Sequence, residues 1–267
     1  MTQNPWQWRD TLYRLAHLVS VVTPAHNEAR HLRRVVLSVA AQTVPVCEHI
    51  VIDDGSTDQS LAVLDDLQEQ FPRLVVISQR RAGAAAARNR GIQIARGRYI
   101  AFLDANDVWE DRKVERQIGF MERSGRYFTY GDYLEVGHFD RRPMKRYHLP
   151  TSVGHRQLMR GCPIGCLTAA YNQEALGKRY MPRVKSGHDW GLWLDLTKDG
   201  IRAWKYPGLE AAYSNGRPSL SSRKFRKIVN VYRIYHQREG LSRTRSLLRA
   251  LEHSLVALAK KAGLLYN

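Results

Sequence analysis

Two short apolar runs in this chain end in carboxylates. Ile50–Val51–Ile52 runs into Asp53–Asp54–Gly55–Ser56–Thr57–Asp58, and Tyr99–Ile100–Ala101–Phe102–Leu103 runs into Asp104–Ala105–Asn106–Asp107. A buried strand that delivers paired acids to its C-terminal end is costly unless something cationic or polar sits there. In an open α/β sheet that end is where ligands bind. Two such ends, about fifty residues apart, point to one site that holds a nucleotide and a metal. A carboxylate there can accept from the imide nitrogen of uracil or from ribose hydroxyls, which gives Asp53 and Asp54 a candidate role. The same stretch is equally a good strand-to-helix turn with a built-in cap. Asp104 and Asn106, at i and i+2, can both ligate one hard cation, magnesium or manganese, bridging it to a diphosphate with water in the remaining positions. Such a cation would stabilise charge on a departing diphosphate. The alternative is an acidic cap for the helix expected over residues 109–121.

Two more clusters could do chemistry. Arg80, Arg81 and Arg88 could meet phosphate oxygens, and Arg88, on an alanine-rich helix, is the strongest of the three. A solvated basic face is the plainer reading of the others. In Gly187–His188–Asp189–Trp190 an acid follows the polar pair Lys185–Ser186 at a helix start. It can serve as a general base if it faces the cleft, and as an N-cap if it does not.

The elements that must position these groups follow from hydrophobic spacing. Strands are expected at residues 17–23, 48–53, 74–78 and 98–103, with helices at 28–41, 58–70 and 83–95 between them. That alternation argues a parallel, doubly wound sheet. No GxGxxG follows the first strand; Pro24–Ala25–His26–Asn27 stands in its place, so this is not a dinucleotide-binding unit. Further on, residues 127–136 read as one strand and 161–171 as another. Residues 139–160, polar and without periodicity, read as a flexible loop over the site. Residues 188–198 read as a helix and 209–213 as a last strand. Arg217–Pro218 marks a boundary, and 223–237 and 242–262 read as two basic amphipathic helices joined at Gly240.

Composition narrows the class. The chain has 267 residues, 43% of them hydrophobic, enough for one core or a core plus an appendage. Its formal charge is +17, and twelve Lys/Arg against two Glu from Arg217 onward place +10 of that in the last fifth. A basic tail points to an anionic partner. Three cysteines, Cys47, Cys162 and Cys166, form no CxxC pair and are expected to be reduced and structural. No apolar run approaches the roughly 20 residues of a membrane span, and Met1–Thr2–Gln3–Asn4 opens no signal-peptide pattern. The protein is therefore expected in the cytoplasm. Nucleic acid is excluded as a partner, since no binding motif is present and the acidic strand ends would repel a backbone.

Together these residues resemble glycosyltransferase family 2, inverting nucleotide-sugar transferases, from about Leu18 to Tyr213. The motifs are Val22–Thr23–Pro24–Ala25–His26–Asn27–Glu28, Val51–Ile52–Asp53–Asp54–Gly55–Ser56–Thr57–Asp58, Ala87–Arg88–Asn89–Arg90–Gly91 and Ala101–Phe102–Leu103–Asp104–Ala105–Asn106–Asp107. The resemblance implies an α/β, GT-A nucleotide-diphospho-sugar transferase fold over residues 18–216, flanked by an N-terminal amphipathic segment (1–17) and a basic helical tail (217–267). It implies that Pro24, His26 and Glu28 line the nucleoside pocket, with His26 where the family usually has Tyr. Asp53 or Asp54 would hold base or ribose, and Arg88 would approach the nucleotide. Asp104 and Asn106 would form the manganese or magnesium motif, with Asp107 as a substitute ligand. Asp189 would be the catalytic base. Two departures stand out: Asn106 replaces the usual second Asp, and His188 stands where the family often has Glu.

The implied reaction is one in-line displacement. A sugar would pass from a nucleotide-diphosphate donor, most commonly a UDP-sugar, to a hydroxyl of a glycan or of a polyprenyl-diphosphate-linked saccharide. The tail, with Ser219–Leu220–Ser221–Ser222 before a basic helix, looks like that of bacterial surface-polysaccharide enzymes. A catalytically silent relative is the main alternative. A sugar nucleotidyltransferase would be expected to show a Gly-rich, Arg/Lys-bearing loop after the first strand, which is missing. Val229, Tyr232, Ile234, Leu247, Leu248, Leu251, Leu255 and Leu258 give the tail apolar faces that could lie on an anionic cytoplasmic leaflet. Trp6, Trp8, Leu12, Tyr13 and Leu15 could add an interfacial anchor. Alternatively both segments pack on the catalytic domain and leave only arginines outside.

Overall fold

A computed structural model describes residues 15–137, 142–215 and 224–261. The expected boundary at Arg217–Pro218 and most of the N-terminal segment lie outside these residues. Leu15, expected in an interfacial anchor, is instead buried in a core cluster beside Ile118 and Met121.

The first half alternates as its spacing predicts. β1 (Val19–Ala25), β2 (Glu48–Asp54), β3 (Leu74–Gln79) and β4 (Tyr99–Phe102) are joined by α1 (Ala29–Ala40), α2 (Ser60–Gln70) and α3 (Ala84–Ile94). β1 pairs in parallel with β2 and β4, and β2 with β3. β1 and β2 are covered on both faces and almost continuously buried, with apolar centres at Val21–Val22 and Ile50–Ile52. α1 turns Leu32, Val35, Val36 and Val39 inward, the 3.6-residue spacing of an amphipathic helix. α3 lies close on the sheet because it is built of small residues: a methyl at Gly91 would fall 2.5 Å from Val22 Cγ1.

The second half departs from expectation. Val108–Trp109 is a short strand, β5, and the helix α4 starts later, at Lys113–Ser124. Trp109 is held out of the helix by pairing with Ala211 and by its Nε1 donating to the Leu167 carbonyl at 2.8 Å. The single strand expected over 127–136 is two, β6 (Phe128–Tyr130) and β7 (Tyr133–Gly137), in different sheets. The break falls at Asp132, whose carboxylate accepts from Leu149 N at 2.8 Å and pairs with Lys205 at 3.2 Å. The expected loop over 139–160 instead contains β8 (Pro143–Tyr147), β9 (Ser152–Val153) and α5 (His155–Leu158). β8 lies against β7, with Tyr133 and Tyr147 stacked 4.6 Å apart. Of 161–171 only the end is strand, β10 (Ala170–Asn172), followed by α6 (Gln173–Leu176).

α7 (His188–Thr197), β11 (Ala203–Lys205) and β12 (Ala211–Asn215) complete the sheets. The main sheet runs β3-β2-β1-β4-β10-β6-β11-β9, mostly parallel but with β10 antiparallel between β4 and β6. A second sheet runs β5-β12-β7-β8.

The described part of the tail is α8 (Lys224–Arg233), a wide π turn (Ile234–Arg238) and α9 (Arg243–Lys261). Val231, Ile234, Tyr235 and Ala250 join the main core, with Ile228 and Tyr232 packed on it. Leu247, Leu248, Leu251 and Leu255 do not: they are 44–66% exposed. α8 packs inward, as the packing alternative expected, whereas α9 leaves leucines as well as arginines outside. No helix among the described residues is long and apolar enough to cross a membrane.

Candidate active site

The C-terminal ends of β1, β2 and β4 open on a cleft of about 570 Å³. Its lining includes Pro24, His26, Glu28, Asp54, Arg88, Asp104 and Asn106, with His188 and Asp189 opposite. The fold thus gathers onto one cleft seven of the nine positions expected to bind nucleotide, sugar or metal, all but Asp53 and Asp107.

The loop after β1 is built by the loop after β2. Asn27 takes a left-handed φ of 54°, which Asn tolerates better than most residues. It is held there by Thr57 N donating to its Oδ1 at 2.8 Å and by its own N donating to Ser56 Oγ at 3.0 Å. Glu28 N donates to Ser60 Oγ, and Ala29 N to Asp58 Oδ2. Asp58 also accepts from Ser60 N at 2.9 Å. Burial would raise its pKa, but these hydrogen bonds outweigh it and the net shift is downward. His26 Nδ1 donates to the Asp54 carbonyl at 3.0 Å, which fixes the proton on Nδ1 and leaves Nε2 as the acceptor for a ligand.

The paired aspartates part company. Asp54 is committed to the chain: its carboxylate accepts from Gln79 Nε2, Ala82 N and Gly83 N at 2.7–2.8 Å and so shapes the approach to α3. Asp53 is 2% exposed and lies outside the cleft lining. Its Oδ2 accepts from Ser56 N and Ser78 Oγ at 3.3 Å, while Oδ1 has no partner among the described residues. A buried carboxylate oxygen without a donor is expensive, and a base or ribose donor would satisfy it.

Arg88 is the hub. It is 4% exposed, donates through Nη2 to Asp104 Oδ1 and through Nη1 to His188 Nε2 at 2.7 Å, and leaves Nε without a partner among the described residues. Because a guanidinium only donates, His188 Nε2 must be the unprotonated nitrogen. Burial first, and the Arg88 cation second, lower the pKa of His188 and keep it neutral. Arg88 itself has a raised pKa: desolvation works against it, and Asp104, Cys166 and Asp189 together outweigh desolvation. Arg80 and Arg81 are exposed and do not line the cleft.

Asp104 Oδ2 and the side chain of Asn106 take no hydrogen bond from the described residues. Asn106 is steadied by its carbonyl, which accepts from Arg34 at 3.2 Å. Asp107 turns the other way: it is 1% exposed and accepts from Ser214 N at 2.9 Å, tying β12 to the motif, so it is not at hand as the substitute ligand expected from sequence. Among the described residues no group of three or more His, Cys, Asp or Glu side chains is arranged to hold a metal. The two available oxygens, Asp104 Oδ2 and Asn106 Oδ1, fit magnesium or manganese, which bind through few protein ligands and complete their shell with water and substrate phosphate.

Asp189 sits at the first turn of α7, after Gly187 at φ +74°. No hydrogen bond from the described residues reaches its carboxylate, so it is not the cap its position also suggested. α7 is anchored by Trp190 Nε1 donating to Leu158 O at 2.8 Å and by Trp193, which packs on Phe102 and Phe128. Phe102 lies two residues before Asp104, so one aromatic contact links the strand bearing the cation site to the helix bearing the free carboxylate. Tyr213, Cys166, Lys185 and Ser186 also line the cleft. Of these only Lys185–Ser186 had a sequence signal, as a polar pair before a helix. Burial pushes the Cys166 thiol well up, which leaves it a neutral wall residue.

The arrangement defines a GT-A glycosyltransferase. Two solved structures share the fold: S. aureus TarS 1-349 in complex with UDP-GlcNAc (TM-score 0.66, 18% identity, 88% of this chain and 72% of that chain) and the mannosyltransferase PcManGT from Pyrobaculum calidifontis in complex with GDP-Man and Mn2+ (TM-score 0.62, 17% identity, 97% and 86%). The chain belongs to Glycosyl transferase family 2, whose sequence model matches residues 20–179. Among its relatives are the putative teichuronic acid biosynthesis glycosyltransferase TuaG of Bacillus subtilis, 34% identical over 226 residues (84% of this chain, 89% of TuaG), and the UDP-Glc:alpha-D-GlcNAc-diphosphoundecaprenol beta-1,3-glucosyltransferase WfgD of Escherichia coli, 31% identical over 213 residues (79% and 83%).

Proposed function

We propose that this chain moves a sugar from a UDP-sugar to a hydroxyl of a polyprenyl-diphosphate-linked saccharide, with inversion, in the synthesis of a bacterial surface polysaccharide. The observation that carries the reading is the pairing of a free carboxylate, Asp189, with a buttressed cation motif, Asp104 and Asn106, across one cleft. UDP-GlcNAc bound to TarS and the lipid-diphosphate acceptor named for WfgD support the choice of donor and acceptor. An acceptor of this kind places the reaction at the inner face of the cell membrane.

Pro24, His26 and Glu28 border the nucleoside, and Asp53 Oδ1 takes a donor from base or ribose. Asp104 and Asn106 would hold the divalent cation, which supplies Lewis-acid stabilisation of the leaving diphosphate. Arg88 holds Asp104 in place and adds positive charge beside the phosphates. Asp189 takes the proton of the acceptor hydroxyl as its oxygen attacks the anomeric carbon from the face opposite the nucleotide. The C–O bond to the diphosphate breaks as the new glycosidic bond forms, so the anomeric configuration inverts. A silent relative would draw on the two neutral replacements, Asn106 and His188. Against it stand the free oxygen on Asp104 and the free carboxylate on Asp189.

Acceptor-dependent release of UDP, followed by NMR of the product anomer, tests the proposal. Inverted product from the native chain and none from Asp189→Asn is the expected result. A retained anomer, or equal turnover by the variant, would overturn the mechanism.

A further inference from the structure

α9 is mounted with its polarity inverted. The face that meets the protein is small and polar: Ser246 and Ala250 are 0% exposed, and the His253 ring lies 4.9 Å from Trp190. The leucines point away, with Leu247 50%, Leu248 61%, Leu251 44% and Leu255 66% exposed. At roughly 100° per residue these four sweep a stripe about 100° wide, centred opposite Ser246 and Ala250. Arg245 lies beyond one edge of the stripe and Arg243 beyond the other, while Glu252 sits beside Arg245 and pairs with Arg249 at 2.6 Å. The remaining large exposed apolar side chains, such as Leu37, Leu61 and Met144, lie on separate elements. Single exposed apolar residues are normal on a protein surface, whereas a contiguous stripe marks an interaction site.

From this we infer that the outer face of α9 docks the enzyme on an anionic lipid bilayer, its leucines entering the headgroup–acyl boundary and its arginines meeting lipid phosphates. The inference deepens the proposed function, since it rests on an acceptor carried by lipid and names the surface that meets that lipid. Charge selects the occupant. A leucine stripe could also pair with a second copy of itself, but the chain carries +17, of which +10 lies from Arg217 onward, so two copies would oppose like charge. An anionic leaflet supplies the opposite charge, worth a gain in affinity for each Lys or Arg near the surface. A leucine face with arginines along its edges is the composition of a helix lying in a membrane interface.

The test is co-sedimentation of the full chain with phosphatidylcholine vesicles containing phosphatidylglycerol, against phosphatidylcholine alone, at low and high salt. Native protein is expected to bind the anionic vesicles, and Leu248→Ser with Leu255→Ser to weaken that binding about tenfold or more. Both residues are mostly exposed, so an unchanged melting temperature separates lost docking from lost folding, and Met144→Ser serves as a control that leaves binding intact. Equal sedimentation of the double variant would overturn the inference. So would a dimer, seen by light scattering, that the double variant dissociates while native protein ignores vesicles. Vesicle binding is read without donor or acceptor, so its failure is distinct from failure of the proposed transfer, which acceptor-dependent release of UDP reads.

Discussion

Asp189 differs from Asp54 and Asp104 in having no donor on its carboxylate among the described residues, and that freedom is what a general base requires. Asp189→Asn is expected to lower kcat by about 10²- to 10⁴-fold while UDP affinity stays within a few fold, which steady-state kinetics beside calorimetry would show. His188 makes its contribution through Arg88. Because it accepts from Arg88 Nη1, His188→Gln, whose side-chain oxygen also accepts, is expected to retain most activity. His188→Ala leaves a buried guanidinium N–H unmet and is expected to lower kcat/KM by about ten- to a hundredfold. Equal losses in the two variants would show that the residue acts by bulk alone. Asn106 provides a carbonyl where a carboxylate would add charge. Asn106→Asp is therefore expected to tighten manganese binding about tenfold, read directly by electron paramagnetic resonance, and affinity for the metal is expected to rise when UDP supplies the missing oxygens. These roles were only partly legible in the sequence. The acids were visible as strand endings, but which of Asp53 and Asp54 is committed to the chain depends on Gln79, Ala82 and Gly83, and the inward turn of Asp107 depends on Ser214, about a hundred residues away.

At the scale of elements, β1 to β4 were legible because each strand has a short apolar centre and the segments between them have helical spacing. The later strands were not, because they are two to five residues long and are placed by distant side chains, Trp109 on Leu167 and Asp132 on Leu149 among them. The buried centre of the first sheet has a measurable pH signature. His49 on β2 lies against Thr23 Oγ1 at 2.9 Å, and burial lowers its pKa from 6.5 to about 3. The unfolded chain takes up this proton below about pH 6.5, whereas the folded chain refuses it until about pH 3. Stability is therefore lost as pH falls through that window, by up to about 1.4 kcal/mol per pH unit from this residue. Urea titrations between pH 7 and 5 are expected to show the decline, and His49→Gln to flatten it. The coupling of α7 to β4 has its own test. Trp193→Ala is expected to cost about 3–5 kcal/mol of stability and to lower activity in the protein that remains folded, since Trp193 fixes the helix of Asp189 against the strand of Asp104.

Across the whole molecule, charge is divided between two surfaces. The acidic strand ends and the start of α7 make the cleft, and the positive charge that dominates the composition gathers in the tail. The basic tail was plain from composition, yet its orientation was not, because the spacing of leucines and arginines on α9 is the same whichever face is buried. It was settled by Ser246 and Ala250, small enough for α9 to pack close against the protein. The central claim is that the cleft binds a nucleotide diphosphate through a cation held at Asp104. Calorimetric titration of UDP, with GDP and dTDP as controls, with and without manganese, on the native chain and Asp104→Ala tests it most directly. Manganese-dependent binding of UDP that Asp104→Ala abolishes is the expected result, and a folded native chain that binds none of the three nucleotides would contradict the account.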